Sequence, residues 1–363
     1  MQNHIFEDLF VLELANNHWG KLDRAMRIIS DFSQVVRVNN VRAAIKLQLR
    51  DVDSFIHKSF ADREDIRYVK KTQDTKLSRD EFVAMVKAIK QSGCIPMATP
   101  FDEASVEFSE FLDLPILKIA SSDLNDWPLI ERIAKTRRPV IVSTGGSSLK
   151  DVDDMVLFFK NRNIPLALNH CVSLYPSEDS ELEMNQIDYL RNRYPDNVIG
   201  YSTHEYHDWT SSMMISYAKG ARTWERHIDI EMDNVPVSPY CTLPHQADTW
   251  FKAYHKAREM CGSAGLQKRI PPAREVEYLD KLVRGIYSKG ELPAGYVITK
   301  DSMEKDFYMS IPLQKGQLSV REVINGIKLT KPLKADEPLM IDAVDSPYAT
   351  SPQLMQQIYQ RGL

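Results

Sequence analysis

The sequence predicts an α/β protein: a (β/α)8 TIM barrel followed by a small β-rich domain. Three observations predict it. Eight short apolar segments alternate with amphipathic helical stretches over residues 1–262. Polar and ionisable residues crowd the C-terminal end of nearly every one of those segments, the rim at which such barrels carry their active sites. Beyond them the chain changes character, to short extended pieces broken by Pro and Gly turns.

The strands are expected at 9–17, 43–48, 95–100, 116–121, 139–145, 165–172, 197–204 and 222–228. Stretches 79–92, 149–162 and 246–261 carry apolar residues at helical spacing and read as amphipathic helices between them. That alternation, continued to eight strands, fits a closed barrel better than an open doubly wound sheet. Residues 263–283 read as a linker, in which Gly265 and "PPAR" break the pattern ahead of a charged helix. Residues 284–345 hold two strand-and-turn units, and the tail 346–363 has room for a short helix.

The bulk properties narrow the function classes. A 363-residue chain with 43% hydrophobic and 26% charged residues has the profile of a globular protein. A net charge of −4 offers no general attraction for nucleic acid or anionic lipid, so an anionic ligand needs a local basic pocket. Four widely spaced cysteines, with no CxxC pair, argue against a disulfide framework or zinc knuckle. No basic n-region, signal-peptide core or membrane-length apolar run is present, and the expected location is the cytoplasm.

The strand ends supply the candidate chemistry. Lys46 and Lys118 end two strands, and Thr99, Ser121, Ser143 and Ser202 end others. Together they could give a phosphate or carboxylate charge-assisted and neutral hydrogen bonds, which suits a small, doubly anionic substrate. One lysine alone would be equally well explained by a solvated end or a structural ion pair. Glu13 and Glu225 add two acids at the same rim, and unpartnered buried charge is too costly to be incidental. His204 and His227 end adjacent strands and could share a divalent metal with water or Glu13, although a simple hydrogen bond would account for each separately. Cys171 and His170 are neighbours on a strand and face opposite ways, which removes a Cys/His nucleophile.

These segments, in order, resemble the sialic acid synthase (N-acetylneuraminate synthase) family. "ELANNHWG" resembles its EIGxNHxG, "IKLQ" its VKFQ, and "MATPFDEASVEF" its STPFDxxSVxF. "LKIASSDLNDWPLIERIAKTRRPVIVSTGG" is similar to its fourth-to-fifth strand signature; "HCVSLYP", "GYSTHE" and "ERHIDIE" are similar to its later strand words. Residues 284–345 more loosely resemble its C-terminal antifreeze-like (SAF) domain. The resemblance implies a transferase joining phosphoenolpyruvate to an amino-sugar aldehyde, N-acetylmannosamine or a modified hexose. Its product would be a sialic-type 2-keto-3-deoxy acid plus phosphate. It implies a phosphoenolpyruvate site of Lys46, Thr99, Lys118, Ser121, Ser143, Ser173 and Ser202, with Ser173 standing where some members have asparagine. It further implies Mn2+ or Mg2+ on His204 and His227, Glu13 as the catalytic carboxylate, and Gln48, Tyr175 and Glu225 facing the sugar. A domain-swapped homodimer follows from the family's assembly, each accessory domain over the partner's barrel.

The departures from the pattern cluster on the acceptor side. After "ERHIDIE" stands "NVPVSPYCTLP", with Ser238 near the family's aspartate. "SIPLQKGQLS" lacks the arginine of the accessory loop, for which Lys315 or Arg321 are the available substitutes. The segment "SFADREDIRYVKKTQDTK" departs from the family's asparagine-bearing stretch, and Trp19 and Thr203 replace a common Asn and Asp. The expectation is an acceptor other than plain N-acetylmannosamine. The alternatives are a metal-dependent 2-keto acid lyase on the same barrel and a non-catalytic sugar-binding homologue.

Overall fold

A computed structural model describes residues 2–363 except Asp233, Ala264, Leu266 and Ile324. The chain divides into two compact units, Met1–Ser263 and Ala264–Leu363.

The first unit is a closed barrel of eight parallel strands in sequence order. They are β1 (Leu9–Ala15), β2 (Arg42–Leu49), β3 (Ile95–Pro100), β4 (Ile116–Ile119), β5 (Val140–Ser143), β6 (Leu166–Cys171), β7 (Val198–Ser202) and β8 (Thr223–His227). Strand side chains alternate, so each strand sends one set inward and the other toward the helices. Leu9, Val11, Ala44, Met97, Ile116, Ile141 and Ala167 fill the lower barrel with Phe6 as a plug. Phe10, Leu12, Ile45, Leu47, Leu117, Val140 and Val142 face outward into the helix layer. Burying one such side chain is worth roughly 1.5–3 kcal/mol, so a one-residue register slip would be heavily penalised.

That alternation positions the site. Two residues beyond Val11, Ala44, Met97, Ile116 and Ile141 stand Glu13, Lys46, Thr99, Lys118 and Ser143, on the same inward face but nearer the rim. On the far wall Asn169 accepts a hydrogen bond from the Thr223 hydroxyl at 2.6 Å. Gly200 lies between them, where a Cβ would come within 1.8 Å of Thr223 Oγ1 and 2.3 Å of Asn169 Oδ1.

The helices start where the sequence provides caps. Ser78 and Glu81 form a capping box before the helix Arg79–Gln91, and Ser148 with Asp151 does the same before Leu149–Asn161. Asp102 caps Glu103–Phe111, and Asp126 precedes a helix with Pro at its start. The expected helices 79–92, 149–162 and 246–261 match Arg79–Gln91, Leu149–Asn161 and Pro244–Cys261. The first strand is shorter than expected: Ala15 has φ 49°, the β1–β2 register shifts after Glu13, and the chain leaves the sheet in a turn over Asn16 and Asn17.

The second unit is built on two small antiparallel sheets. One pairs β9 (Gly285–Ser288) with β11 (Phe307–Ser310); the other has the order β10 (Val297–Ile298), β12 (Ile327–Leu329), β13 (Val344–Asp345). Its core includes Ile286, Phe307, Leu318, Leu339 and Val344. The tail belongs to it: the helix Pro352–Tyr359 buries Ile358 in this core, and Arg361 is ion-paired with Glu322. The unit is therefore larger than the expected 284–345, taking in the charged helix Ala273–Asp280 and the last residues. Among the described residues no helix is long and apolar enough to cross a membrane.

Candidate active site

At the C-terminal rim of the barrel lies a cavity of about 560 Å3. Every residue expected at the site lines it: Glu13, Lys46, Gln48, Thr99, Lys118, Ser121, Ser143, Ser173, Tyr175, Ser202, His204, Glu225 and His227.

Its floor is an alternating set of charges. Lys46 pairs with Glu13, lies 3.4 Å from Glu225 Oε1, and donates to Thr99 Oγ1 at 2.8 Å. Lys118 lies 2.8 Å from Glu225 Oε2 and donates to Ser143 Oγ at 2.7 Å. Glu225 thus stands between both lysines. All four groups are almost fully buried, Glu13 at 1% exposure and Glu225 at 6%. Removing these charges from water is expensive, and the mutual pairing is what makes the set tolerable.

The two carboxyls are driven apart. Burial pushes the Glu13 carboxyl above its ordinary range, and the nearby Glu225 charge adds to that, against the pull of Lys46 and Lys118. Burial acts on Glu225 in the same sense, but there Lys118 and Lys46 outweigh it and hold the carboxyl at about 2. Gln48 Nε2 donates to Glu13 Oε1 at 3.1 Å and fixes that carboxyl's orientation.

Hydroxyls and a bare backbone line the β4–β6 side. The Gly145 N–H donates to Ser121 Oγ at 3.0 Å, and a Cβ on Gly145 would fall 2.3 Å from Ser173 Oγ. The glycine leaves room for a cradle of Ser121, Ser173 and backbone N–H, an arrangement suited to anion oxygens.

The histidines meet as expected, with ring centroids 5.5 Å apart. His204 Nδ1 lies 2.8 Å from the Val172 carbonyl oxygen, so the neutral ring donates there and leaves Nε2 as a lone-pair donor. Burial lowers His204 to about 4 and, with the His204 neighbour adding to it, takes His227 well below its ordinary value. Two neutral imidazoles are the form that binds a metal. Among the described residues no group of three His, Cys, Asp or Glu is placed to hold an ion, so a cation on this pair would have to complete its shell from water and substrate. The Tyr175 ring lies 4.0 Å from His204, and Tyr240 lies 5.2 Å from both Tyr175 and His227.

Other residues act from behind. Arg226 faces away from the cavity and is bound to Glu205 and Thr242. Arg24, fully buried, ties the β1 and β8 loops together through Asn17, Asp229, Ile230 and Met232. His18 Nδ1 accepts from the Gly20 N–H and shapes the turn after β1. His170 is bonded to the Leu182 carbonyl while Cys171 lines the cavity, in keeping with their opposite faces.

Sequence reasoning missed Arg50, Arg67, Tyr68, Lys71, Gly145 and Tyr240, which also line the cavity. All lie on connecting segments, where strand alternation places nothing. The one available signal was the spacing of Arg67 and Lys71, four residues apart on what proves to be the helix Arg67–Asp74.

The sequence profile of the NeuB family matches residues 38–264. A spore coat polysaccharide biosynthesis protein E from Chromobacterium violaceum has a solved structure that superposes with a TM-score of 0.89 at 33% identity, covering 93% of this chain and 100% of that one. N-acetylneuraminate-9-phosphate synthase of Drosophila melanogaster is 29% identical over 247 residues, 65% of this chain and 64% of that protein. Pseudaminic acid synthase of Campylobacter jejuni is 27% identical over 306 residues, 81% of this chain and 85% of that protein. These two relatives are synthases by name, enzymes that form a carbon–carbon bond, and this chain is an enzyme that belongs to the NeuB family.

Proposed function

We propose that the protein condenses phosphoenolpyruvate with an amino-sugar aldehyde, giving a sialic-type 2-keto-3-deoxy acid and phosphate. The observation that carries this is the Glu13–Lys46–Glu225–Lys118 set beneath a rim of hydroxyls, beside two neutral histidines, in one cavity. The names of the synthase relatives support it.

Phosphoenolpyruvate binds with its phosphate and carboxylate on Lys46, Lys118, Thr99, Ser121, Ser143, Ser173 and Ser202, trading the lysines' carboxylate partners for its own charges. Its C3 attacks the aldehyde carbon; the new C–C bond takes the enol π pair, and the aldehyde oxygen takes a proton from Glu13. Positive charge is left at C2. Water adds there and returns one proton to Glu13, and the hemiketal phosphate expels phosphate with the C2–O bond pair, the hemiketal hydroxyl proton passing to the departing phosphate, to leave the keto acid. Glu13 is the group placed to give and retake a proton, because its carboxyl is the one raised above its ordinary range. Glu225, held ionised, balances the lysines before and after turnover. Gln48 and Tyr175 orient the sugar. A divalent cation, Mn2+ or Mg2+, held by His204 and His227 would supply polarisation of the aldehyde carbonyl.

We further propose that the second unit is the family's antifreeze-like (SAF) domain and that the enzyme works as a homodimer. Lys315 and Arg321 are both exposed on that unit and free to reach a partner's sugar. Sedimentation should return twice the 41.7 kDa chain mass; a monomer under turnover conditions would rule the dimer out.

The test of the reaction is release of phosphate from phosphoenolpyruvate across a panel of amino-sugar aldehydes with Mn2+ or Mg2+. Release should depend on the aldehyde and match keto-acid formation mole for mole. Formation of pyruvate from the keto acid, with no synthesis in either direction, would favour the lyase alternative. Binding of sugar without release would favour the non-catalytic one.

A further inference from the structure

Arg50 stands one residue past the end of β2 and lines the cavity beside Gln48 and Lys46. The backbone holds it there from both sides. The Phe101 N–H donates to the Leu49 carbonyl at 3.0 Å, and the Asp51 N–H donates to Asp102 Oδ2 at 2.8 Å. The ends of β2 and β3 are thereby joined around Arg50, and its guanidinium lies 3.6 Å from the centre of the Phe101 ring. The side chain is half-buried and has no ion pair among the described residues. Burial pulls the guanidinium down to about 10 against the attraction of Glu13, Asp123 and Asp102, so it is a cation at neutral pH. Its only side-chain hydrogen bond among the described residues runs from Nη1 to Gln48 Oε1, at 2.9 Å.

That one bond decides which way Gln48 is turned. An amide has an acceptor at one end and donors at the other, whereas a guanidinium has donors alone. Oε1 of Gln48 must therefore face Arg50, and Nε2 must face Glu13, where it donates to Oε1 at 3.1 Å. The two hydrogen bonds have one polarity, each donating toward the carboxyl. With the amide reversed, its oxygen would meet the Glu13 carboxyl and its NH2 would meet a cation, so both bonds would be lost together. The other carboxyl oxygen, Oε2, faces Lys46. When Lys46 passes to phosphoenolpyruvate, Oε2 is uncovered while Oε1 stays held.

We infer that Arg50 is a positioning residue for the condensation: through the Gln48 amide it pins Oε1 of Glu13, so that protons pass to and from substrate at Oε2 alone. This role rests on the proposed reaction, in which Glu13 gives and retakes the proton. Arg50 itself touches no reacting atom. Its effect is on geometry: a carboxyl free to rotate presents either oxygen, and a misplacement of about 1 Å at a reacting group costs on the order of 100-fold in rate.

The experiment is a double-mutant cycle on the full-length enzyme, assayed with phosphoenolpyruvate and the amino-sugar aldehyde that the parent turns over fastest. Arg50→Met keeps an apolar stem over Phe101 and removes the donors. It should lower kcat by on the order of 10-fold and change the KM of each substrate by less than about twofold. Gln48→Met should also lower kcat, and adding Arg50→Met to it should change kcat by less than about a further twofold, because the link is already broken. Arg50→Lys keeps a cation able to donate to Gln48 Oε1 and should retain more of kcat than Arg50→Met. If tryptophan fluorescence shows Arg50→Met unfolded, Arg50→Lys takes its place in the cycle. An unchanged kcat in Arg50→Met, a KM that rises while kcat is kept, or the same loss repeated in the Gln48→Met background would overturn the inference alone. No phosphate release by the parent with any aldehyde would overturn the condensation and this inference together.

Discussion

Replacing Glu225 with glutamine probes the charge balance at the cavity floor. The carboxylate lies 2.8 Å from Lys118 and 3.4 Å from Lys46, and all three side chains are at most 7% exposed. Removing one partner from a buried ionic set costs about 3–5 kcal/mol, and the low end applies because the amide can still accept one lysine hydrogen bond. Two lysines would then share Glu13 as their remaining carboxylate. Urea unfolding at pH 7 should show the variant about 3 kcal/mol less stable than the parent. Tryptophan fluorescence reports the barrel alone, since Trp19, Trp127, Trp209, Trp224 and Trp250 all lie in the first unit. Phosphoenolpyruvate should reverse much of the deficit. A ligand at 100 times its Kd contributes about 2.7 kcal/mol, and in Glu225→Gln the ligand has one fewer carboxylate to displace, so its stabilising effect should exceed that in the parent. A variant less than about 1 kcal/mol below the parent, or one stabilised less by phosphoenolpyruvate, would refute the reasoning.

Three further outcomes follow from the same geometry. Gly145→Ala places a methyl 2.3 Å from Ser173 Oγ and 3.0 Å from Ser121 Oγ, so the KM for phosphoenolpyruvate should rise by on the order of 10-fold in steady-state assays. His18 is held neutral by burial, its value lowered to about 4; the unfolded chain binds the proton first, so stability is full above about pH 6.5 and falls as pH drops toward 4. Between pH 7 and 5 this group should cost the parent about 2 kcal/mol, and His18→Asn, which keeps an acceptor for the Gly20 N–H, should lose that much less across the same interval in urea titrations. Treatment with a chelator should abolish phosphate release and added Mn2+ or Mg2+ restore it, whereas His204→Ala and His227→Ala should bind Mn2+ at least about 10-fold more weakly by titration calorimetry.

The barrel was legible because its strands carry two signals at once. Val11 followed by Glu13, Ala44 by Lys46 and Ile116 by Lys118 each show an inward apolar residue succeeded, two positions on, by an inward ionisable one. Only a strand leaving a core for a solvent-facing rim explains that step, and its repetition points to one shared mouth. Period two sets Arg226, bound to Glu205, on the face opposite Glu225 and His227. The pairing within the mouth was not legible: no spacing shows that Glu225 bridges two lysines contributed by β2 and β4. Arg67, Lys71 and Tyr240 were hidden for a different reason. They lie on connecting segments where charge ordinarily means solvation, and only the fold separates Lys70, paired outward, from Lys71, turned into the cavity. The tail was opaque because its helix has one buried residue, Ile358, and the core that it joins, with Met355, Tyr348 and Ala349 packed against it, is otherwise built from residues distant in sequence.

In the proposed reaction phosphate leaves from C2 after carbon–carbon bond formation, by cleavage of the C–O bond and not the P–O bond. Phosphoenolpyruvate labelled with 18O at the bridging oxygen, turned over with an accepted amino-sugar aldehyde, tests this directly by mass spectrometry of the released phosphate. The label should leave entirely in the phosphate, with the keto oxygen of the product drawn from water. Label retained in the keto acid, or phosphate released without the aldehyde, would contradict it.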